Sequence, residues 1–233
     1  MKTALITGAN RGIGLEFARQ YAADGWRILA CARNVEKADD LNALAAKHPA
    51  QVIVHALDVA NHVQIDDLAR SLSGESIDLL INNAGIYAES HHSGIFTSAD
   101  YEAWMHTFLV NTMATLKMTQ ALASQILRSG QKKMVTISSK MGSIADNTGG
   151  GSYMYRSSKA AVNMVIKTLA IDFKPAGLIA IALHPGWVQT EMGGPKALIS
   201  PTKSVSGMRQ VIDGLTLTDS GRFIAYDGQT VPW

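Results

Sequence analysis

With 233 residues, 47% of them hydrophobic and 17% charged, the chain can bury a substantial core as one large domain or at most two small ones, which excludes disordered and fibrous classes. The 21 Lys+Arg against 19 Asp+Glu leave a formal charge of +2 with no run of like charges, so no nucleic-acid partner is expected. The single cysteine, Cys31, excludes an internal disulfide framework and a cysteine-based zinc site. Apolar stretches are broken before membrane-spanning length, and Met1 to Gly8 is too short and too soon glycine-broken for a signal peptide, so a cytoplasmic protein without a membrane partner is expected.

Two kinds of segment alternate along the chain. Thr3 to Thr7 is a short apolar strand ending at Gly8. Gly12 to Asp24 places Ile13, Phe17 and Tyr21 on one helical face and closes at Gly25. Trp26 to Cys31 reads as a strand, Val35 to Lys47 as an Ala/Leu-rich helix, and Gln51 to Leu57 as a third strand. Asn61 with Gln64 predicts a capping box for a helix through Leu72. Ile77 to Ile81 is a fourth strand, followed by one long helix from about Ser98 to Arg128. Met134 to Ile137 is a strand, Tyr153 to Phe173 a second long helix, and Leu178 to Leu183 a sixth strand. The segment to Leu217 predicts a short helix, and Arg222 to Tyr226 a last strand.

The strands are continuous apolar runs, as expected where both faces are covered. The β-α alternation with short joins predicts a single-domain α/β fold over residues 1–233, a Rossmann-like doubly wound parallel sheet of about seven strands flanked by helices. An eight-stranded α/β barrel, the alternative, needs another β-α unit and usually a longer chain.

The first strand meets the first helix at Thr7-Gly8-Ala9-Asn10-Arg11-Gly12-Ile13-Gly14. Gly8 permits a tight turn, Gly12 lets a pyrophosphate approach the backbone, and Gly14 lets helix and sheet pack closely. The helix N-terminus then holds an anion. This favours a dinucleotide site over an ordinary glycine turn. An NAD-type site places a carboxylate at the end of the second strand, about 20 residues on. Here that strand ends Ala30-Cys31-Ala32-Arg33-Asn34, without one. Arg11 and Arg33 either flank a ribose 2′-phosphate, which arginine grips by bidentate hydrogen bonds, or are solvated surface cations. The first reading favours NADP(H). Asp58 either bonds the adenine amino group or caps the next turn.

Tyr155 and Lys159 share one face of a predicted helix. An ammonium beside a phenol stabilises its anion and makes proton exchange with an alcohol or carbonyl practicable. Ser139 ends the fifth strand, where ligands of open α/β sheets bind, and its hydroxyl can bond a substrate oxygen or cap a turn. Ser143 is the alternative serine.

These motifs, with Asn82-Asn83-Ala84-Gly85, Asn111 within Phe108-Leu109-Val110-Asn111-Thr112, and His184-Pro185-Gly186-Trp187-Val188-Gln189-Thr190, resemble the short-chain dehydrogenase/reductase family over essentially the whole length. Tyr155-Arg156-Ser157-Ser158-Lys159, the segment from Pro185 to Gly194 and Val231-Pro232-Trp233 resemble its branch containing the C-signal protein and sniffer-type carbonyl reductases. The resemblance implies a tetrad. In it, Tyr155 is the general acid or base and Lys159 lowers its pKa and holds the nicotinamide ribose. Ser139 polarises the carbonyl and Asn111 holds a water relayed to Lys159. A plain core hydrogen bond is the other reading of Asn111.

The resemblance further implies that Gly8, Asn10, Arg11, Gly12, Ile13 and Gly14 bind the cofactor, with Arg33, Asn34, Asp58 and Val59 around the adenosine. Asn83, Ala84 and Gly85 would pass the adenosine ribose, and Pro185, Gly186, Val188 and Thr190 would anchor the nicotinamide beside Tyr155 and Lys159. The substrate would be a small carbonyl or alcohol, and the long helices would pair subunits as a homodimer or homotetramer. A nucleotide-binding regulatory or signalling protein is the second functional reading. The adjacent His91 and His92 lack further ligands at suitable spacing, so no metal is expected. His184 reads as structural, the Met residues of the helices as packing, and Met141, Trp187 and Met192 as candidates for an apolar pocket.

Overall fold

The computed structural model describes residues 1–88 and 100–233. His91, His92, the loop from His91 to Ser98 and the expected helix start at Ser98 lie outside the described residues.

Seven parallel strands form one sheet in the order β3-β2-β1-β4-β5-β6-β7. They are β1 (Thr3–Thr7), β2 (Arg27–Ala32), β3 (Val52–Ala56), β4 (Leu79–Asn82), β5 (Lys133–Ile137), β6 (Ile179–His184) and β7 (Phe223–Ala225). The helices are α1 (Gly12–Ala23), α2 (Asp39–Lys47), α3 (His62–Ser71), α4 (Tyr101–Phe108), α5 (Ala114–Leu127), α6 (Tyr153–Asp172) and α7 (Pro201–Gly214). Every residue of β1 and β5 is buried, because both faces of the sheet are covered. On one face Ile6, Ile28 and Ile181 pack with Phe17 and Tyr21 of α1, Leu41 of α2 and Met208 of α7. On the other, Leu5, Leu29 and Met134 pack with Ile65 of α3, Leu122 of α5 and Leu169 of α6. No helix among the described residues is long and apolar enough to cross a membrane.

Several local expectations are corrected. The long helix before β5 is α4 and α5 joined by a π turn at Leu109–Met113. The helix after β2 begins as a 3-10 turn, Val35–Lys37, and turns α-helical only at Asp39. The short helix expected before Leu217 is the 14-residue α7, started by Pro201 and capped by the Ser200 hydroxyl, which accepts from the Lys203 N–H. Asn61 caps α3, accepting from the Val63 and Gln64 N–H groups, but no capping box closes. Gln64 instead accepts from the Asp58 N–H at 2.8 Å, because the Asp58–Ala60 turn folds that donor over the helix start.

Because the strands are parallel, β1, β4, β5 and β6 deliver their C-terminal ends to one edge. The order reverses between β1 and β4, which opens a crevice between the loops that follow them. Thr7 joins these two loops. Its Oγ1 accepts from the Asn83 and Ala84 N–H groups, both at 3.0 Å, while the Asn83 amide donates to the Thr7 and Gly8 carbonyls. Thr7→Val keeps the shape and strands both donors. Stability in urea is expected to fall by about 1–3 kcal/mol with an unchanged m-value.

Candidate active site

The glycine loop leaves β1 through Gly8 at φ +64° and turns into α1 through Gly12 at φ +55°. A Cβ on Gly8 would lie 3.0 Å from the Ala84 Cα, and one on Gly14 would lie 2.2 Å from the Gly8 carbonyl oxygen. The expected spacing therefore does what glycine allows here: strand, loop and helix close on one another and on the β4 loop. The N-cap of α1 is Arg11, which makes no side-chain capping bond, and its first turn holds no acidic residue. Asn61, Asp100 and Ser200 cap α3, α4 and α7 with their side chains. The first-turn N–H groups of α1 are thus left facing the crevice with the positive end of the helix dipole, an arrangement that fits a pyrophosphate.

The two arginines are placed differently. Arg33 stands exposed just after β2 and makes no ion pair among the described residues. Arg11 is ion-paired with Glu191, an exposed contact that bridges the glycine loop and the segment after β6. Asp58 is half-buried and holds a turn, accepting from the Ala60 N–H at 3.0 Å. Thr190 also lies over the loop, since a Cβ on Gly12 would come within 3.2 Å of its methyl group. The Thr190 hydroxyl accepts from the Gly193 N–H at 3.1 Å, which curls the segment after β6. Gly186, at φ +83°, turns that segment where a Cβ would strike Ile199 at 2.6 Å. Trp187 and Met192 stand exposed on it, and Met141 is half-buried.

Tyr155 and Lys159 lie one turn apart in the first half of α6 and are both buried. Ser139, the residue after Ser138 at the end of β5, caps the short turn Lys140–Gly142, its Oγ accepting from the Met141 N–H at 3.1 Å. That turn sits directly on α6: a Cβ on Gly142 would lie 2.7 Å from the Lys159 carbonyl carbon. Asn163, a further turn along, accepts from the Ser138 hydroxyl at 2.6 Å and donates to the Gly142 carbonyl at 3.3 Å. The docked turn brings Ser139 into a hydrogen bond with the Tyr155 hydroxyl. Ser143 is turned away, its hydroxyl donating to the Trp233 carbonyl and accepting from the Asp146 N–H. His184 accepts the Lys140 N–H at 3.2 Å, and burial pushes its imidazole down to about 4, so it is a neutral structural acceptor.

Burial pushes the Tyr155 phenol up to about 12, opposed by the Ser139 bond and reinforced by Tyr87. Burial also pushes the Lys159 ammonium down to about 8. Its Nζ donates to the Ile137 carbonyl at 2.9 Å and lies 5.7 Å from the centre of the Tyr155 ring. Asn111 sits in the π turn. Its amide donates to the Ile86 carbonyl and the Ser158 hydroxyl, and its oxygen accepts the Ile86 N–H, all within 3.0 Å. The Asn111 side chain is thus engaged in the core-type bonds that the sequence left open as an alternative. A Cβ on Gly85 would lie 3.3 Å from the Asn111 oxygen and 3.6 Å from the Lys159 Nζ, so Gly85 lets the β4 loop meet both. Sequence reasoning missed Asn163 and Tyr87. The Tyr87 ring lies 5.0 Å from that of Tyr155, and its only sequence signal is an aromatic shortly after the Asn-Asn-Ala-Gly motif.

The buried lysine makes a pH prediction. Its pKa is about 8 folded against a usual 10.5, so the unfolded chain binds more protons and stability rises with pH through that window. Tyr155 has the opposite sign: its raised pKa gives stability that is complete below its usual value of 10.0 and is lost as pH rises through about 12. A Lys159→Met variant keeps Tyr155 and lacks the lysine rise. Its stability relative to the native chain, from denaturant titrations, is expected to fall by on the order of 3 kcal/mol between pH 7 and 10.5.

The profile of the family described as short chain dehydrogenase matches residues 2–198. C-signal of Myxococcus xanthus is 43% identical over 160 residues, 67% of this chain and 93% of that protein. Among solved structures, the carbonyl reductase Sniffer of D. melanogaster superposes with a TM-score of 0.94 at 31% identity, covering 100% of both chains. An NADPH-bound carbonyl reductase from chicken fatty liver superposes with a TM-score of 0.91 at 33% identity, covering 100% of this chain and 99% of that one. With its parallel sheet, its glycine-lined crevice and a buried Tyr155 and Lys159 beside Ser139, the chain belongs to the short chain dehydrogenase family.

Proposed function

We propose that the protein is an NADP(H)-dependent oxidoreductase of the carbonyl reductase type. The observation that carries this reading is the buried Tyr155 hydroxyl, hydrogen-bonded to Ser139 and one helical turn from Lys159, at the sheet edge shared with the glycine loop. Carbonyl reductases among its structural relatives, one of them NADPH-bound, support the same reading. When bound, NADPH supplies a hydride to the carbonyl carbon, and the net reaction takes C=O, NADPH and a proton to CH–OH and NADP⁺. Ser139 orients the carbonyl oxygen, and Tyr155 gives its proton to that oxygen as the new O–H forms. The phenol, pushed up to about 12, is protonated at neutral pH and has a proton to give.

Lys159 holds a positive charge beside the phenolate left behind. It does so at pH values below its own pKa of about 8. Asn111 acts in this reading through its position, fixing Ile86 and Ser158 around the lysine. Arg33 takes a ribose 2′-phosphate, and Arg11 joins it by exchanging its surface pairing with Glu191, a contact worth little in water. Subunits pair through the exposed apolar residues of α4 and α6, including Met105, Met164 and Ile171.

The similarity to C-signal supports a second reading, a nucleotide-binding signalling protein with little turnover. Tyr155→Phe separates the two. Turnover of carbonyl substrates, followed by NADPH absorbance, is expected to fall about 10²–10⁴-fold with NADPH binding unchanged. Tight NADPH binding without hydride transfer across a broad carbonyl panel would support the signalling reading instead. Arg33→Ala is expected to weaken NADPH roughly ten- to hundredfold while leaving NADH within about twofold, as a lost charged hydrogen bond predicts. Equal losses in titrations of the two nucleotides would remove the 2′-phosphate assignment.

A further inference from the structure

Tyr87 is the feature of the site that the assigned roles leave unused. Its ring is tilted 59° against that of Tyr155 with centroids 5.0 Å apart. Both of its ends are held. On the backbone side, the Asn111 amide grips the preceding residue, Ile86, through both its N–H and its carbonyl. At the far end, the Tyr87 hydroxyl lies 2.8 Å from the Ser152 Oγ. Ser152 is the N-cap of α6, held at φ 47° and ψ 50°, a left-handed conformation that a serine adopts only at a cost in energy. Yet Tyr87 remains 40% exposed. A core aromatic would be covered, and an unconstrained surface tyrosine would be anchored at neither end.

We propose that Tyr87 is a specificity-determining residue: it presents a rigid aromatic wall beside the reacting Tyr155 hydroxyl and selects carbonyls conjugated to a planar ring over saturated carbonyls of the same size. The physical basis is the ring quadrupole. Two π-systems gain attraction in offset or tilted geometries beyond the apolar area they bury, whereas a saturated ring gains area alone. The tilt between Tyr87 and Tyr155 already has that geometry, so a planar substrate entering beside Tyr155 meets an edge or face that needs no rearrangement. The inference rests on the carbonyl reductase reading of the same site.

Benzaldehyde and cyclohexanecarbaldehyde test it, since they differ in planarity and conjugation but little in size. Tyr87→Leu keeps an apolar, smaller side chain and removes the π-system, and the ratio between the two aldehydes cancels the change in bulk they share. It is expected to reduce kcat/KM for benzaldehyde roughly two- to tenfold relative to cyclohexanecarbaldehyde. Tyr87→Phe keeps the ring and loses the Ser152 bond, so it is expected to preserve the ratio. NADPH affinity, measured alongside, is expected to be unchanged in Tyr87→Phe, and the thermal midpoint to fall by no more than a few degrees, as the loss of one partly exposed hydrogen bond predicts. The corresponding alcohols, benzyl alcohol and cyclohexylmethanol, are titrated in the presence of NADP⁺ as a binding measurement that needs no turnover. Loss of the benzyl alcohol preference in Tyr87→Leu supports the proposal. Equal effects of Tyr87→Leu on both ring types, in kinetics or in binding, overturn it, as does a Tyr87→Phe ratio that shifts as far as that of Tyr87→Leu. If the native protein transfers no hydride to any member of a broad carbonyl panel, the reductase reading fails, and the alcohol titrations still decide the role of Tyr87.

Discussion

The site depends on a backbone-to-backbone contact. The turn after β5 reaches α6 only because residue 142 has no side chain; any Cβ there would overlap the Lys159 backbone. Asn163 then fastens the turn from both ends, through Ser138 and Gly142. With that contact made, the helix that carries Tyr155 and Lys159 also carries the anchor for the serine facing them. The geometry of the Ser139–Tyr155–Lys159 cluster thus comes from one helix and one turn, with the sheet supplying the depth. Sites built on such regular elements hold their groups more closely than sites on free loops.

The same closeness accounts for the electrostatics. Tyr155 and Lys159 are both buried, and burial disfavours each in its charged form. Their shifts run in opposite directions, the phenol upward and the ammonium downward. The site therefore pays for proximity with a buried ammonium whose partner in this structure is a neutral carbonyl, Ile137. Removing water in this way strengthens every charge interaction made inside the site. Outside it, most ion pairs among the described residues lie at the surface, where solvent screens them, with Arg27–Glu75 part-buried. That separation matches the balanced composition of the chain: net charge says little, and the depth at which each charge sits says much.

The sheet, its apolar strands and the glycine loop were legible in the sequence because periodicity and glycine spacing are local signals. Gly8, Gly12 and Gly14 each meet a steric demand within a few residues or against the adjacent strand's loop. Ser139 was legible over Ser143 from its place after a strand and from the Lys140-Met141-Gly142 that follows it, both local signals, and it is the serine that bonds the Tyr155 hydroxyl. What stayed hidden were side-chain bonds between distant segments. The Arg11–Glu191 pair spans 180 residues, and Thr7 reaches the β4 loop across 76. Tyr87 and Asn163 likewise carry no periodic signature; their roles exist only once α6 is laid beside the β4 and β5 loops. The Asn61–Gln64 spacing was legible as a cap but not as the bond it makes, because a competing donor, the Asp58 N–H, is delivered by the turn before it.

The π turn between α4 and α5 has a further consequence for length changes. Within a helix each residue advances the facing direction by about 100°, so an added residue rotates everything beyond it. The widened turn at Leu109–Met113 absorbs such an addition without breaking the rod, and it is where Asn111 faces Ile86 and Ser158. Deleting one residue there would restore a smooth helix and a normal count of backbone bonds, yet it would swing Asn111 off its partners or α5 off the sheet. Between Phe108 and Ala114 the chain is therefore more constrained in length than in composition, the reverse of what holds in most surface loops.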